Sequence, residues 1–212
     1  MKKLTFSAAA ALPRGFQATG LAAGLKQNGA PDMALFYSEP PATLAGVFTT
    51  NQVKAATVRL DAERVAKVGV ARGIVVNSGQ ANACTGKQGL RDARAMAAHA
   101  AKQFDVPANQ FLVCSTGRIG VPLRMDIILP GIEKLAKAVS PQGGEQAARG
   151  ILTTDTRPKR FTTTFTVNGQ VCRLTGIAKG AGMIQPNMAT MLAFLLTDAR
   201  VERGALQQSL RA

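Results

Sequence analysis

The sequence has no tryptophan, one tyrosine, one histidine and three cysteines in 212 residues. Aromatics reach only 5% while apolar residues make up 46%, so a core is affordable but must be built from aliphatic and small side chains. Cys84, Cys114 and Cys172 are odd in number, far apart and form no CxxC. That excludes a disulfide scaffold and points to reduced thiols in a cytosol-like, cytoplasmic setting. With one histidine and no CxxC, a zinc site is not expected. Acidic residues are also scarce: 12 Asp and Glu stand against 26 Lys and Arg, a net charge of +14. The basic residues are dispersed, with no run of five and no aromatic-interleaved patch. A solvated basic surface, or one half of an assembly whose other half is acidic, therefore fits better than a polyanion-binding module. No apolar stretch reaches the roughly 20 residues that cross a bilayer. The start, MKKLTFSAAAALPRGF, imitates a signal peptide, but its apolar part is short and broken by Ser7, so it reads as mature sequence.

What is present is punctuation. Residues 1–30 carry Gly15, Gly20, Gly24 and Gly29 without the GxxxxGK[ST] order of a phosphate loop and read as loop. Strands are expected at Asp32–Tyr37 and Ala45–Thr50, separated by a turn at Glu39-Pro40-Pro41. Lys54–Lys67 reads as a helix and Gly73–Asn77 as a buried strand ending in the turn Asn77-Ser78-Gly79. Gly89–Phe104, with Leu90, Ala93, Ala97, Ala100 and Ala101 at helical spacing, is the strongest helix. Gln110–Ser115 follows as a buried strand stopped at Thr116-Gly117, then a helix over Asp126–Val139 ended by Ser140-Pro141. Phe161–Val167 and Gln170–Thr175 flank Asn168-Gly169, a hairpin signature. Residues 202–212 read as an uncapped piece of amphipathic helix, as though the chain were cut there. The mixture predicts an α+β protein of layered sheets and helices, not a doubly wound parallel sheet.

Chemistry concentrates in Lys179–Asp198, KGAGMIQPNMATMLAFLLTD. Small Ala189 precedes Thr190 behind a loop of glycines and Pro186. In such a loop the threonine hydroxyl can attack its own preceding carbonyl. Once freed as an N-terminus, Thr190 carries an α-amine of reference pKa about 7.7–8.0 as a built-in base. Composition alone favours the plainer reading, in which Thr190 caps a helix over Met191–Leu196. Thr116-Gly117, at a strand end, offers backbone N–H groups and a hydroxyl to a developing oxyanion. Asn77–Gly86 is a polar loop of small residues suited to lining a site, Thr153-Thr154-Asp155-Thr156 can bind substrate or cap a turn, and Lys179 can meet a carboxylate. A Cys84–His99 thiol–imidazole pair is considered and set aside, because His99 sits on the alanine-rich helix.

These stretches, in this order, resemble one family: the ornithine acetyltransferases, or bifunctional glutamate N-acetyltransferases, of arginine biosynthesis. The resemblance runs from Gly15-Phe16 and Asp32–Leu35 through Ala45–Asn51, Asn77–Gly86, Ser115–Gly120 and Thr153–Thr156 to Lys179–Ile184 and Pro186–Phe194. It implies a layered αββα fold akin to the N-terminal-nucleophile hydrolases, and self-cleavage at Ala189–Thr190. The cleavage gives an α chain, residues 1–189, and a β chain of which 190–212 is the first part. Thr190 is then the nucleophile and takes the acetyl group of N-acetylornithine. Thr116 and Gly117 stabilise the oxyanion, and Thr156, Lys179 and Thr190 contact substrate. Glutamate accepts the acetyl group in a ping-pong cycle. Acetyl-CoA is a donor in some members, the assembly is an αβ heterodimer or α2β2, and no metal or cofactor is required. The rivals are a self-cleaving aminopeptidase or amidase of similar architecture and a basic nucleic-acid-binding module. Family members run to about twice this length, so the fragment alone is expected to be inactive.

Overall fold

In the computed structural model, residues 4–183, 188 and 190–211 are described. Two four-stranded sheets stack face to face. The first has the order β1 (Phe6–Ser7), β6 (Lys159–Val167), β7 (Gln170–Lys179) and β8 (Leu192–Thr197), all antiparallel. The second has the order β2 (Phe16–Leu21), β3 (Met33–Thr43), β4 (Val70–Asn77) and β5 (Phe111–Ser115). Its β4–β5 pair is parallel, joined over α2 (Gly86–Gln103), because parallel neighbours need a crossover. Helix α1 (Ala56–Lys67), α2 and α3 (Met125–Ala138) cover one face of the second sheet. A short α4 (Gly144–Gly150) lies on β2 and β3, and α5 (Arg203–Ser209) rests near the end of α1, where Arg203 donates to the Val65 carbonyl.

Two cores result. Beneath the helices, Met33, Leu35, Val75 and Val113 of the sheet meet Ala93, Met96, Ala97 and Ala100 of α2 and Ile128, Ile132 and Leu135 of α3. The alanine stripe lets α2 lie flat on the strands. Between the sheets, Ala18, Ala34, Phe36 and Val76 meet Ile177, Phe194 and Leu196. The N-terminal segment belongs to the fold: Ala10 and Leu12 are in the inter-sheet core, and Phe6 pairs with Thr163. The outer face of the first sheet is uncovered among the described residues, with Phe6 59% and Leu195 51% exposed. The mixed α/β architecture expected from the sequence is present. Of the four layers αββα, the described residues supply the first three.

Five local readings change. Ala45–Thr50 forms no strand. Glu39-Pro40-Pro41 is not a turn but an irregularity inside β3, where the register shifts between Tyr37 and Ala42, since prolines have no N–H to give a ladder. The loop-like first 30 residues contain β2, and Gly143–Gly150 contains a helix. A Cβ on Gly143 would strike the Ala18 carbonyl, so the approach of α4 to β2 depends on that glycine. Helix α5 does have a cap: the Glu202 carboxylate accepts from Ala205 N–H at 3.0 Å.

The outer edge of β5 is held by two charged side chains of α1. Asp61, 4% exposed, accepts the Val113 N–H at 3.2 Å, and Arg64 donates to the Phe111 carbonyl. Burial pushes Asp61 up to about 8, against the opposing Val113 N–H and Arg64 charge. A carboxyl whose folded pKa is raised stabilises the fold fully below its ordinary value and loses that contribution as pH rises towards the raised one. Unfolding free energy should therefore fall between about pH 4 and pH 8, by up to about 1.4 kcal/mol per pH unit from this one group. Asp61→Asn should flatten that slope, measured as urea midpoints at pH 5 and pH 7.5. Parallel pH dependences in wild type and variant would refute the assignment.

Candidate active site

The site candidates meet where β5, β7 and the loop before β8 come together. Lys179 ends β7, pairs in register with Leu192 of β8, and is 4% exposed. Its Nζ donates to Thr116 Oγ1 at 3.0 Å and to the Thr190 carbonyl at 3.2 Å. One ammonium thus bridges the end of β5 and the residue whose hydroxyl is in question. Burial draws Lys179 below the ordinary lysine range; the Asp155 charge opposes this and Lys159 adds to it. Thr190 is exposed with φ +76°, an unusual conformation for a β-branched residue and one that needs support from its surroundings. The Lys179 bond to its carbonyl is one such support. Ala189 and Pro186 lie outside the described residues.

The segment after Thr190 is β8, not a helix. Leu192, Phe194 and Leu196 alternate with Ala193 and Leu195, and Phe194 and Leu196 enter the inter-sheet core. The plainer reading of Thr190 as a helix cap therefore falls. Strand β8 pairs with β7, so the segment after Thr190 is hydrogen-bonded into the first sheet.

Thr116 is buried, and its N–H is already given to the Asn77 carbonyl at 3.0 Å. The expectation of adjacent backbone donors is corrected accordingly: what remains is the Thr116 hydroxyl hydrogen, its oxygen being engaged by Lys179, and the Gly117 N–H, which has no partner among the described residues. Gly117 has φ +124°, and a Cβ there would run into the Gly79 carbonyl. Position 117 thus requires glycine on steric grounds. The Asn77–Gly86 loop packs directly behind it, with Ala81 N–H bonding the Arg118 carbonyl at 2.8 Å and Arg118 N–H bonding the Gly79 carbonyl at 3.2 Å.

In the Thr153–Thr156 cluster, Thr156 is exposed and makes no side-chain hydrogen bond among the described residues. Its neighbours grip the loop that leads to Thr190. Asp155 Oδ1 accepts the Gly180 N–H at 2.9 Å, and Thr154 Oγ1 accepts the Gly182 N–H at 3.1 Å. The sequence names Asp155 only as a member of that cluster; its being a lone acidic residue among threonines in so basic a chain is the signal that sets it apart. Lys26 has no such signal in the sequence. Its Nζ donates to the Pro31 and Leu152 carbonyls, both at 2.7 Å, and ties the loop after β2 to the start of this cluster. That loop is itself wound round Asp32, whose buried carboxylate accepts the N–H groups of Ala23, Gly24, Leu25 and Lys26. Cys84 and His99 are separated by most of α2, about 20 Å at helical rise, and His99 faces Glu133 at 3.1 Å instead. No helix among the described residues is long and apolar enough to cross a membrane.

The profile of the ArgJ family matches residues 17–212. The arginine biosynthesis bifunctional protein ArgJ of Caldanaerobacter subterraneus subsp. tengcongensis is 53% identical over 200 residues, 94% of this chain and 49% of that protein. Among solved structures, the arginine biosynthesis bifunctional protein of Bacillus halodurans aligns with a TM-score of 0.81 at 38% identity, covering 89% of this chain and 100% of that one. The ornithine acetyltransferase of Mycobacterium tuberculosis, solved in complex with ornithine, gives 0.81 and 38%, covering 90% and 100%. The L-aminopeptidase D-Ala-esterase/amidase of Ochrobactrum anthropi, a variant of the Ntn-hydrolase fold, aligns at TM-score 0.55 with 12% identity and shares the fold alone. The chain spans about half the length of the curated relatives it matches.

Proposed function

The chain belongs to the ArgJ family of arginine biosynthesis, and from that premise we propose that it carries the nucleophile, the oxyanion donors and part of the substrate pocket of an acetyltransferase. The observation that carries this reading is the Lys179 ammonium shared by the Thr190 carbonyl and the Thr116 hydroxyl. It sets a loop-borne threonine beside a strand end that has donors to spare.

In this reading Thr190 Oγ first attacks the Ala189 carbonyl carbon. The peptide nitrogen leaves as the α-amine of Thr190, and water hydrolyses the resulting ester to give two chains. Coverage supports a division near this point: about nine-tenths of this chain spans all of each solved family chain, while the curated relatives are about twice as long. The freed amine then takes the Oγ proton as Oγ attacks the acetyl carbon of N-acetylornithine. Negative charge grows on the acetyl oxygen, where the Gly117 N–H and the Thr116 hydroxyl are the donors. Collapse breaks the C–N bond, the proton passes to the departing nitrogen, and ornithine leaves an acetyl ester on Thr190. The amine of glutamate attacks that ester, N-acetylglutamate departs, and the Thr190 hydroxyl is restored. Acetyl-CoA would load the same ester as a second donor. Thr156 and Lys179 are the proposed substrate contacts of this half, in a cytoplasmic αβ or α2β2 assembly whose chemistry draws on no resident cofactor.

Ornithine release from N-acetylornithine by the full-length protein tests the scheme. With glutamate, release should be sustained; without it, release should stop after a burst of about one equivalent per site. Steady release independent of glutamate would instead assign a hydrolase.

A further inference from the structure

Asp155 has a side chain with no solvent exposure, yet its Oδ2 has no hydrogen-bond partner among the described residues. Oδ1 is fully used, by the Gly180 N–H and by the Lys159 ammonium. A buried carboxylate oxygen left without a partner is costly, so its retention calls for a compensating role. The groups around it indicate one. Lys179 is adjacent in chain to Gly180; its charge acts on Lys26 from the loop after β2, and the Lys159 charge from β6 acts on it. Asp32 stands behind Lys26 and acts on Lys26. Of the neighbours that act on Lys179, Asp155 is the carboxylate and Lys159 the cation.

We propose that Asp155 is a positioning residue for Thr190: it fixes the Lys179–Gly180 corner through the Gly180 N–H and balances the buried Lys179 ammonium, which in turn holds the Thr190 carbonyl and the Thr116 hydroxyl. This rests on Thr190 being the nucleophile. Geometry supports both parts. The corner residue Gly180 has φ +146° and is held by Asp155 at 2.9 Å, and the bridging ammonium sits one residue before it. The ionisation of both groups agrees. Burial opposes the Asp155 charge, but the hydrogen bond from Lys159, the Gly180 N–H and the Lys159 charge hold it below the ordinary carboxylate range.

Two substitutions with opposite signs separate this role from simple structural support. Transfer should depend on pH through an acid limb, where the Thr190 amine must be free, and an alkaline limb, where Lys179 loses its proton. Asp155→Asn keeps an acceptor for the Gly180 N–H but removes the charge, so the alkaline limb should move to lower pH by about one unit or more. Lys159→Gln removes the cation that depresses Lys179, and the limb should move to higher pH. Asp155→Glu should return the limb towards the wild-type position. The full-length proteins would be compared by pH–rate profile and melting temperature. Opposite shifts of the alkaline limb support the proposal. An unmoved limb in Lys159→Gln, or in a folded Asp155→Asn, overturns it, and Lys159→Gln alone decides if Asp155→Asn does not fold. Failure of the underlying reading would look different: a Thr190→Ala protein would still cleave and transfer, whatever the limbs do.

Discussion

Thr190→Ala should leave the full-length protein as one uncut chain and lower acetyl transfer by about four orders of magnitude or more. The size follows from removing a covalent nucleophile whose base belongs to the same residue. Without the hydroxyl there is no ester, and without cleavage there is no free α-amine. Denaturing mass spectrometry reads the first effect: wild type should give a product ending at Ala189 and another beginning at Thr190. Steady-state ornithine release reads the second. Thr190→Ser keeps the hydroxyl and should still cleave, which separates loss of chemistry from damage to the loop. The variant also bears on strain, because Thr190 sits at φ +76° and a β-branched side chain is poorly tolerated there. Alanine relieves part of that crowding, so the uncut variant should be at least as stable as wild type. A cleaved Thr190→Ala protein would remove the threonine from the mechanism.

The next largest effect is expected at Thr116. Thr116→Val keeps shape and burial but deletes the hydroxyl that Lys179 engages and that the proposed mechanism assigns to the developing oxyanion. Loss of one preorganised donor costs roughly 100- to 1,000-fold in kcat, about 2.7–4 kcal/mol. KM should change far less, since the donor matters most when the charge develops. Lys179 loses one of its two hydrogen-bond acceptors at the same time, so cleavage of the precursor should slow as well. Gly117→Ala should be at least as damaging, because its Cβ meets the Gly79 carbonyl and its φ of +124° disfavours any side chain; there, however, misfolding of the turn and loss of the N–H act together. A Thr116→Val enzyme with wild-type kcat would show that the oxyanion is held elsewhere.

Several elements could be read before any coordinates. Helix α2 was legible because Ala93, Ala97, Ala100 and Ala101 recur at helical spacing. The β6–β7 hairpin was legible because Asn168-Gly169 admits the positive φ of both residues. Strand β8 was not: six apolar residues in a row look alike as helix or strand, and only pairing with β7 selects the extended form. Helix α4 and strand β2 were hidden by their glycines. Glycine lowers helix and strand propensity alike, and here close approach of the two backbones outweighs that cost.

The sequence by itself carried the family resemblance and singled out Thr190 and the Thr-Gly, Thr-Thr-Asp-Thr and Lys-Gly segments, since these are matters of residue type and order along the chain. Tertiary structure decided what those residues do to one another. It spent the Thr116 N–H on Asn77 and left the Gly117 N–H without a partner among the described residues. It placed Lys179 between Thr116 and Thr190, and put Asp155 rather than Thr156 against the Gly180 end of the segment that leads to Thr190. The reason is physical: hydrogen bonds and charges are settled by proximity between residues 11 to 63 positions apart, and no local propensity encodes which of several polar neighbours will arrive at a buried ammonium.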